Sequence, residues 1–277
     1  MRVQRCTDRS KQHPPQVARL FGCFGACMLA VLLIGCAGGR GRGEALTAPR
    51  TLTTPYNTIN GEVLWAVVPL RNESGTSQVD SLVLSDHLIG AIEETQGLRC
   101  LPLDRTLAAM QALKLQRVRT PAEARTLAQT LGADGIVVGT ISAYDPYTPM
   151  IGLSLALYAR PGAAGMAQGQ VTAFDPNELK RSTTDETQVA NVWGDRPLAV
   201  WSDRLDAKNH QVLMDVRTFG EGRSSDRSAL GWKRYTASAD LFAQFAMYRG
   251  VDGLLQQEWT RVAKAQMPRI EERREVQ

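Results

Sequence analysis

The residue types that most often perform chemistry are sparse in this chain of 277 residues. Its three histidines, His13, His87 and His210, lie too far apart along the chain to match the spacing of a zinc site. We predict His87 within a helix and His210 in a hairpin turn, each a surface or hydrogen-bonded histidine and not a metal ligand. The chain contains neither the Gly-x-Ser-x-Gly elbow of serine hydrolases nor a Gly-Lys-Ser/Thr phosphate loop. These observations favour a protein that is not an enzyme and predict neither a metal nor a cofactor.

The sequence around one cysteine, Cys36, is typical of a site of covalent modification. Cys36 ends an apolar run, Phe21 to Ile34, and no charged residue occurs between Arg19 and Arg40. The run has the length of a signal peptide and is short for a membrane span, which needs about 20 apolar residues. An uncleaved anchor helix and an ordinary signal peptide that is cleaved elsewhere remain alternatives.

The residues Leu33, Ile34 and Gly35 before Cys36 resemble the bacterial lipobox. The resemblance implies that the Cys36 sulfur receives a diacylglyceryl group and that a lipoprotein signal peptidase cuts before Cys36. It also implies that the new amine is acylated, typically with palmitate. Two or three acyl chains give stable membrane attachment, whereas one chain gives marginal attachment. Because Ala37 follows the cysteine, the resemblance favours the outer membrane, with the protein facing the periplasm.

Cleavage at Cys36 changes the bulk properties of the chain. Five of the 32 basic residues and one of the 28 acidic residues precede Cys36, so 27 of each remain and the formal charge falls from +4 to zero. This balance gives no support for nucleic-acid binding, which needs a clustered basic surface. Cys100 is the one cysteine after Cys36. It lies in a short apolar strand pattern, which predicts an inert core thiol.

Composition divides the chain into four parts. Residues 1–35 form the signal peptide, and residues 36–61 form the lipidated cysteine with a flexible tether rich in Gly, Pro, Thr and Arg. Residues 62–267 form an α/β domain with a core at 62–160, a loop at 161–196, and a hairpin and C-terminal helix at 197–267. Residues 268–277 form a polar tail. The GGRGRG stretch in the tether could suggest a phosphate loop, but it lacks the strand and the Lys-Ser/Thr of such loops.

The first part of the domain predicts alternating strands and helices. Buried strands are expected at Glu62 to Leu70, at Leu98 to Leu103 and at Asp134 to Tyr144, followed by an alternating strand at Met150 to Ala159. One helix is expected to bury Val79, Leu82, Val83, Ile89 and Ile92 and to stop at Gly97. A second helix is expected to be capped by Asp104, and a third to have Thr120 as cap, Pro121 in its first turn and Gly132 at its end. This order indicates a mixed sheet flanked by helices.

The second half predicts a β-hairpin and a long amphipathic helix. In Pro197 to Phe219, apolar residues spaced by two on either side of "DAKNH" indicate two strands. In the helix at 238–265, we expect a buried stripe of Leu241, Phe245, Tyr248, Leu255, Trp259 and Val262, packed on the sheet or exposed to a partner. Gly250 and Gly253 either weaken this helix or permit close packing.

Several of these pieces resemble a bacterial envelope superfamily. They are Val67 to Leu70, Asn72, Asp104 with Arg105, and Gly132, Ala133 and Asp134 through Gly139. The superfamily includes the curli-secretion lipoprotein, lipoprotein activators of penicillin-binding proteins and the N-terminal domain of the Tol–Pal translocation protein. The resemblance covers residues 62–159 and implies an α/β fold and a role in binding or assembly, not catalysis.

We therefore expect a lipid-anchored component that binds another envelope protein or associates with itself. A membrane-inserted channel is not favoured, because residues 162–196 lack strands of about 9–11 alternating residues. A periplasmic module for a glycan, such as peptidoglycan, or for a small molecule is the alternative, and it requires a deep pocket with convergent polar groups. A hydrolase would require two titratable groups within hydrogen-bond reach in a cleft.

Overall fold

A computed structural model describes residues 48–59, 61–160, 163, 196–224 and 228–266 of the chain. The signal peptide, the lipobox with Cys36, most of the predicted loop at 161–196 and the predicted tail lie outside the described residues. The domain between them has a mixed sheet with helices on both faces, as the sequence predicted.

Six strands form the sheet. They are β1 (Val63–Val67), β2 (Arg71–Asn72), β3 (Leu98–Cys100), β4 (Gly135–Asp145), β5 (Met150–Ala159) and β6 (Ala199–Asp206). Their order is β3-β1-β4-β5-β6, and β2 pairs with β4. β1 runs parallel to β3 and β4, whereas β5 is antiparallel to both β4 and β6. The parallel half is joined by helical crossovers, and the antiparallel half begins with a tight turn between β4 and β5.

Six α-helices accompany the sheet in the described part of the chain. They are α1 (Ser81–Glu93), α2 (Leu103–Ala112), α3 (Pro121–Leu131), α4 (His210–Gly220), α5 (Arg234–Ala237) and α6 (Ala239–Gln266), with a 3₁₀ helix at Gly231–Lys233. None of the described helices has the length and apolar character needed to cross a membrane. The predicted C-terminal helix is confirmed, and it packs on the sheet.

Strand β1 is covered on both faces, as its continuous apolar pattern predicted. Val63, Trp65 and Val67 face a large core shared with α1 and α6, whereas Ala66 and Val68 face a smaller core under α2 and α3. The face of the sheet that carries the smaller core is not buried along its whole width. At the opposite edge from β1, the residues Val200, Ser202 and Arg204 of β6 are exposed. The molecule is therefore three layers thick over β1 and β4 and thinner over β6.

The helix ends show which local signals the sequence carries. Thr120 caps α3 and Gly132 ends this helix with φ +68°, both as predicted. Glu123 completes a capping box with Thr120. Asp104 does not cap α2, because the helix begins one residue earlier, at Leu103, with Pro102 in the N-cap position. Asp104 instead lies in the first turn, where its negative charge still favours the helix dipole.

The predicted hairpin at 197–219 is wrong in its second half. β6 forms and pairs with β5, but His210–Gly220 is the helix α4, capped by the Asn209 side chain. Val212, Val216 and Phe219 are buried at helical spacing, while Met214 is exposed. The positions 212, 214 and 216 fit a period of two, but 212, 216 and 219 fit the helical period equally well, and the cap decides between them. His210 accordingly begins a helix.

The buried face of α1 also differs from the prediction. Leu84, Leu88 and Ile92 are buried at a spacing of four, whereas Leu82 and Val83 are 49% and 43% exposed. The helix has apolar residues around much of its circumference, so the pattern alone did not define its core-facing side.

Part of the predicted tether belongs to the folded domain. Leu52 and Tyr56 are buried, and Thr53 makes a β-bridge with Gln96 after α1. Residues 50–56, which we call the docking segment, therefore pack on the domain six to twelve residues before the boundary expected at 62.

Candidate interaction groove

The sequence-predicted residues are scattered across the structure. His87 Nε2 lies 2.7 Å from Asp240 Oδ1, a hydrogen bond that joins α1 to the start of α6, so it is a hydrogen-bonded histidine as expected. His210 is exposed at the start of α4. Burial, together with the nearby Glu93 charge, raises the pKa of the Cys100 thiol to about 12, which agrees with an inert core thiol. Within the described ranges, no three His, Cys, Asp or Glu side chains cluster closely enough to hold a metal ion.

A groove lies between β6 and the C-terminal half of α6. Its volume is about 570 Å³. We call it the β6–α6 groove, and its lining residues combine apolar, amide, hydroxyl and cationic groups: Leu198, Trp201, Gly253, Gln256, Gln257, Thr260, Arg261 and Lys264.

Trp201 forms the apolar wall of this groove. Its indole lies directly on α6 at Gly253, where any Cβ atom would overlap the ring. A Cβ atom at Gly250 would stand 3.4 Å from Trp201 Cζ3 and 2.6 Å from Leu155 Cδ1. The two glycines of α6 therefore permit close packing of the helix on the sheet, which was one of the two roles expected for them.

Gln257 closes part of the exposed edge of the sheet. Among the described residues, β6 is the last strand on its side of the sheet, and the backbone groups that point away from β5 pair with no described strand. The Val200 N–H donates to Gln257 Oε1 at 2.9 Å, and Gln257 Nε2 donates to the Val200 carbonyl oxygen. The side-chain amide thus makes at Val200 the two hydrogen bonds that a neighbouring strand would make.

A buried ion pair holds the cationic wall in place. Glu258 is fully buried and accepts from Arg261 Nε at 2.8 Å and from Arg261 Nη2 at 2.6 Å. These hydrogen bonds raise the pKa of the Arg261 guanidinium further above its ordinary range. Because arginine stays charged and Glu258 is committed to it, this pair is structural and unsuited to acid–base catalysis. Both bonds use the Nε and Nη2 side of the guanidinium, and Arg261 also lines the groove.

The docking segment contributes a third member to this network. Tyr56 Oη donates to Glu258 Oε2 at 2.8 Å. Burial, followed by the charge of Glu258, raises the pKa of Tyr56 well above its usual value of about 10. Trp259 Nε1 also donates to the Thr53 carbonyl oxygen at 3.3 Å. The N-terminal end of the domain is thereby fixed to the helix that lines the groove.

Neither a protein-family model nor a curated protein sequence matches the chain. Solved structures do match it at low identity and with low overall superposition. They include the LpoB C-terminal domain from Salmonella enterica, with 16% identity over 39% of this chain and 74% of that chain at a TM-score of 0.31. LpoB of E. coli matches with 13% identity over 58% of this chain and 77% of that chain, at a TM-score of 0.32. Lipoprotein GNA1162 from Neisseria meningitidis matches with 15% identity over 47% of this chain and 97% of that chain, at a TM-score of 0.31.

The motifs on which the sequence resemblance rests lie at the end of β1, in β2, in the first turn of α2 and at the turn into β4, and none of their residues lines the β6–α6 groove.

Sequence reasoning did not identify the groove, although signals for it exist. Gly250 and Gly253 are spaced by three in an amphipathic helix, which is compatible with close packing at that point. Trp201 is one of the apolar residues spaced by two in the strand predicted before "DAKNH", but nothing in the sequence connects it to Gly253. Tyr56 was missed because it lies in a segment without apolar periodicity.

Proposed function

We propose that this protein is a lipid-anchored envelope protein, attached to the membrane through Cys36, that acts as a non-catalytic binding or assembly component for another envelope protein. The observation that supports this proposal is the β6–α6 groove, which lies beside an exposed strand edge. The groove offers an aromatic wall and several hydrogen-bonding side chains, a mixture that suits protein binding.

The docking segment supports attachment close to the membrane. Fourteen residues, 37–50, separate Cys36 from the first contacts of the docking segment. Fully extended, such a stretch spans at most about 50 Å, and as a flexible coil it spans roughly 20 Å. The domain would therefore work within this distance of the anchoring membrane, which we propose to be the outer membrane with the domain in the periplasm.

Site-specific photocrosslinking in cells tests the proposed function. A photoreactive amino acid at Gln256, in the groove, should capture a protein partner. The matched control is Gln129, an exposed glutamine of α3 on the opposite face of the sheet. A product at twice the mass of the chain would identify self-association, the other form of assembly expected. Equal products from both positions, or none from Gln256, would contradict a binding role for the groove.

A glycan is a second candidate ligand, favoured by one observation. The Trp201 indole, the Gln256 amide and the Thr260 hydroxyl line the same groove, and aromatic and hydrogen-bonding groups together suit a sugar ring. Cosedimentation of the full chain with purified peptidoglycan checks this alternative. Loss of cosedimentation in the Thr260→Ala, Gln256→Ala double variant would support glycan binding. Unchanged cosedimentation of this variant would reject it.

A further inference from the structure

We infer that the outer edge of β6 takes an extended, acidic segment of the partner as an added strand, and that Gln257 occupies part of this place until the segment binds. The inference rests on the proposed function and specifies the chemistry of the partner. It concerns the backbone edge of β6 together with the cationic end of the β6–α6 groove.

The backbone geometry of β6 supports an added strand. Residues whose side chains face the large core pair with β5, so the alternate residues Val200, Ser202 and Arg204 direct their N–H and C=O groups away from the sheet. At Val200, the side-chain amide of Gln257 already binds both the N–H and the C=O group. Because Gln257 is exposed on α6, an incoming backbone can replace its side chain without unfolding any element.

Natural sheets protect such edges, and β6 is protected incompletely. Gln257 covers Val200, and the Asp203 side chain accepts from the Arg204 N–H at 2.7 Å. Both protections are side chains, which rotate away far more readily than a paired strand separates. The edge therefore can exchange a weak internal partner for a stronger external one.

Charge determines which segment fits. Lys264 is exposed at the groove, whereas Arg261, which also lines the groove, is bonded to Glu258. Because Glu258 already neutralises Arg261, the net charge of this end is positive through Lys264. An acidic side chain of the partner would lie here, and an apolar one beside Trp201. A second copy of this chain is the competing occupant, and the test distinguishes it.

Peptide binding to the full chain in detergent micelles tests the inference. The probes are three fluorescein-labelled peptides of roughly eight residues, the length of an ordinary strand. The first alternates Val and Glu, the second alternates Val and Lys, and the third is the Val-Glu peptide with alternate backbone nitrogens methylated. Fluorescence anisotropy measures each dissociation constant.

We expect saturable binding of the Val-Glu peptide. The Val-Lys peptide should bind about fivefold more weakly, because one exposed charge pair contributes up to about 1 kcal/mol. The methylated peptide should bind at least about tenfold more weakly, because two or more backbone hydrogen bonds are lost. Equal affinities for all three peptides, or no saturable binding, would overturn the inference.

Two variants report on the named residues. Lys264→Glu should reverse the preference between the Glu and Lys peptides, whereas Lys233→Glu, an exposed lysine on the 3₁₀ helix, should not. Gln257→Ala should tighten binding about two- to fivefold, because no internal hydrogen bonds must be broken first. A weaker affinity for Gln257→Ala at an unchanged melting temperature would contradict the role given to this side chain.

The crosslinking experiment separates this inference from the proposed function. A captured envelope protein at Gln256 together with no binding of any peptide would retain the proposed function and reject the added strand. A crosslinked product containing only two copies of this chain would reject the acidic partner segment.

Discussion

At the scale of single residues, the two glycines Gly253 and Gly90 are both helical but have opposite surroundings. A Cβ atom at Gly253 would overlap the Trp201 indole, whereas a Cβ atom at Gly90 in α1 would meet nothing within 4 Å. Alanine favours a helix over glycine by about 1 kcal/mol, but overpacking costs about 1–3 kcal/mol.

We therefore expect Gly253→Ala to lower the free energy of unfolding by about 1–2 kcal/mol, since the overlap involves a bulky ring held on the sheet. Gly90→Ala should raise it by about 0.4–1 kcal/mol. Urea denaturation of the two variants measures both changes. The same sign for both substitutions would show that the contact between Trp201 and α6 does not constrain the helix.

Cys100 gives the stability of the protein a defined pH dependence. Because the pKa of this thiol is raised to about 12 in the folded state, the unfolded chain loses its proton first as the pH rises above about 9. The stabilisation is complete below about pH 9 and is lost toward pH 12, by about 1.4 kcal/mol per pH unit.

The Cys100→Ala variant should lack this component. Between about pH 8 and pH 10, the wild type should lose about 1.4 kcal/mol more of its free energy of unfolding than the variant does. Urea denaturation at the two pH values measures the difference, and groups common to both proteins cancel. Parallel losses in the two proteins would mean that the thiol ionises equally in both states.

At the scale of elements, the docking segment carries interactions that its sequence does not reveal. Leu52 and Tyr56 are buried, and Tyr56 is one of the partners of the buried Glu258 carboxylate. A chain that begins at residue 57 should therefore lose at least about 3 kcal/mol of unfolding free energy relative to one that begins at residue 48, because it loses a buried side chain and a hydrogen bond to a buried charge.

Tyr56→Phe is the control that isolates the hydroxyl. It should cost about 1.5–3 kcal/mol, because it removes only the hydrogen bond to Glu258. Urea denaturation compares the three proteins. If the shortened chain were as stable as the longer one, the predicted tether would extend to residue 61 after all.

Local signals fixed some elements well and others poorly. Thr120, Glu123 and Gly132 determine both ends of α3, because a capping box and a left-handed glycine act through neighbouring backbone atoms. The region of Val212 to Val216 fitted two periods, and only the Asn209 cap and the packing of Phe219 show that it is helical. The groove could not be predicted, because Trp201, Gln257 and Tyr56 meet through tertiary packing that no local pattern encodes.

At the scale of the whole molecule, both edges of the sheet are covered by parts that are not strands of the sheet. At the β3 edge, Thr53 makes a β-bridge with Gln96. At the β6 edge, the Gln257 side chain hydrogen-bonds to the backbone of Val200. Both coverings meet at α6, because Trp259 contacts Thr53 and Gln257 contacts Val200. One helix thus connects the N-terminal end of the domain to the candidate binding edge.

The proposed lipid anchor is a property of the whole molecule that mass spectrometry can test. If Cys36 is the first residue of the mature protein, the mass of the N-terminal peptide should show a diacylglyceryl group and an acylated amine, and the protein should fractionate with membranes.

The Cys36→Ala variant should retain residues 1–35 or be cut elsewhere, because the peptidase requires the modified thiol. Its domain should unfold at the same urea concentration as the wild type, because the substitution leaves the sequence of residues 48–266 unchanged. Mass spectrometry of the N-terminus decides the matter: an unmodified wild-type chain that begins at another residue would remove the anchor, and with it the argument that the groove works near a membrane.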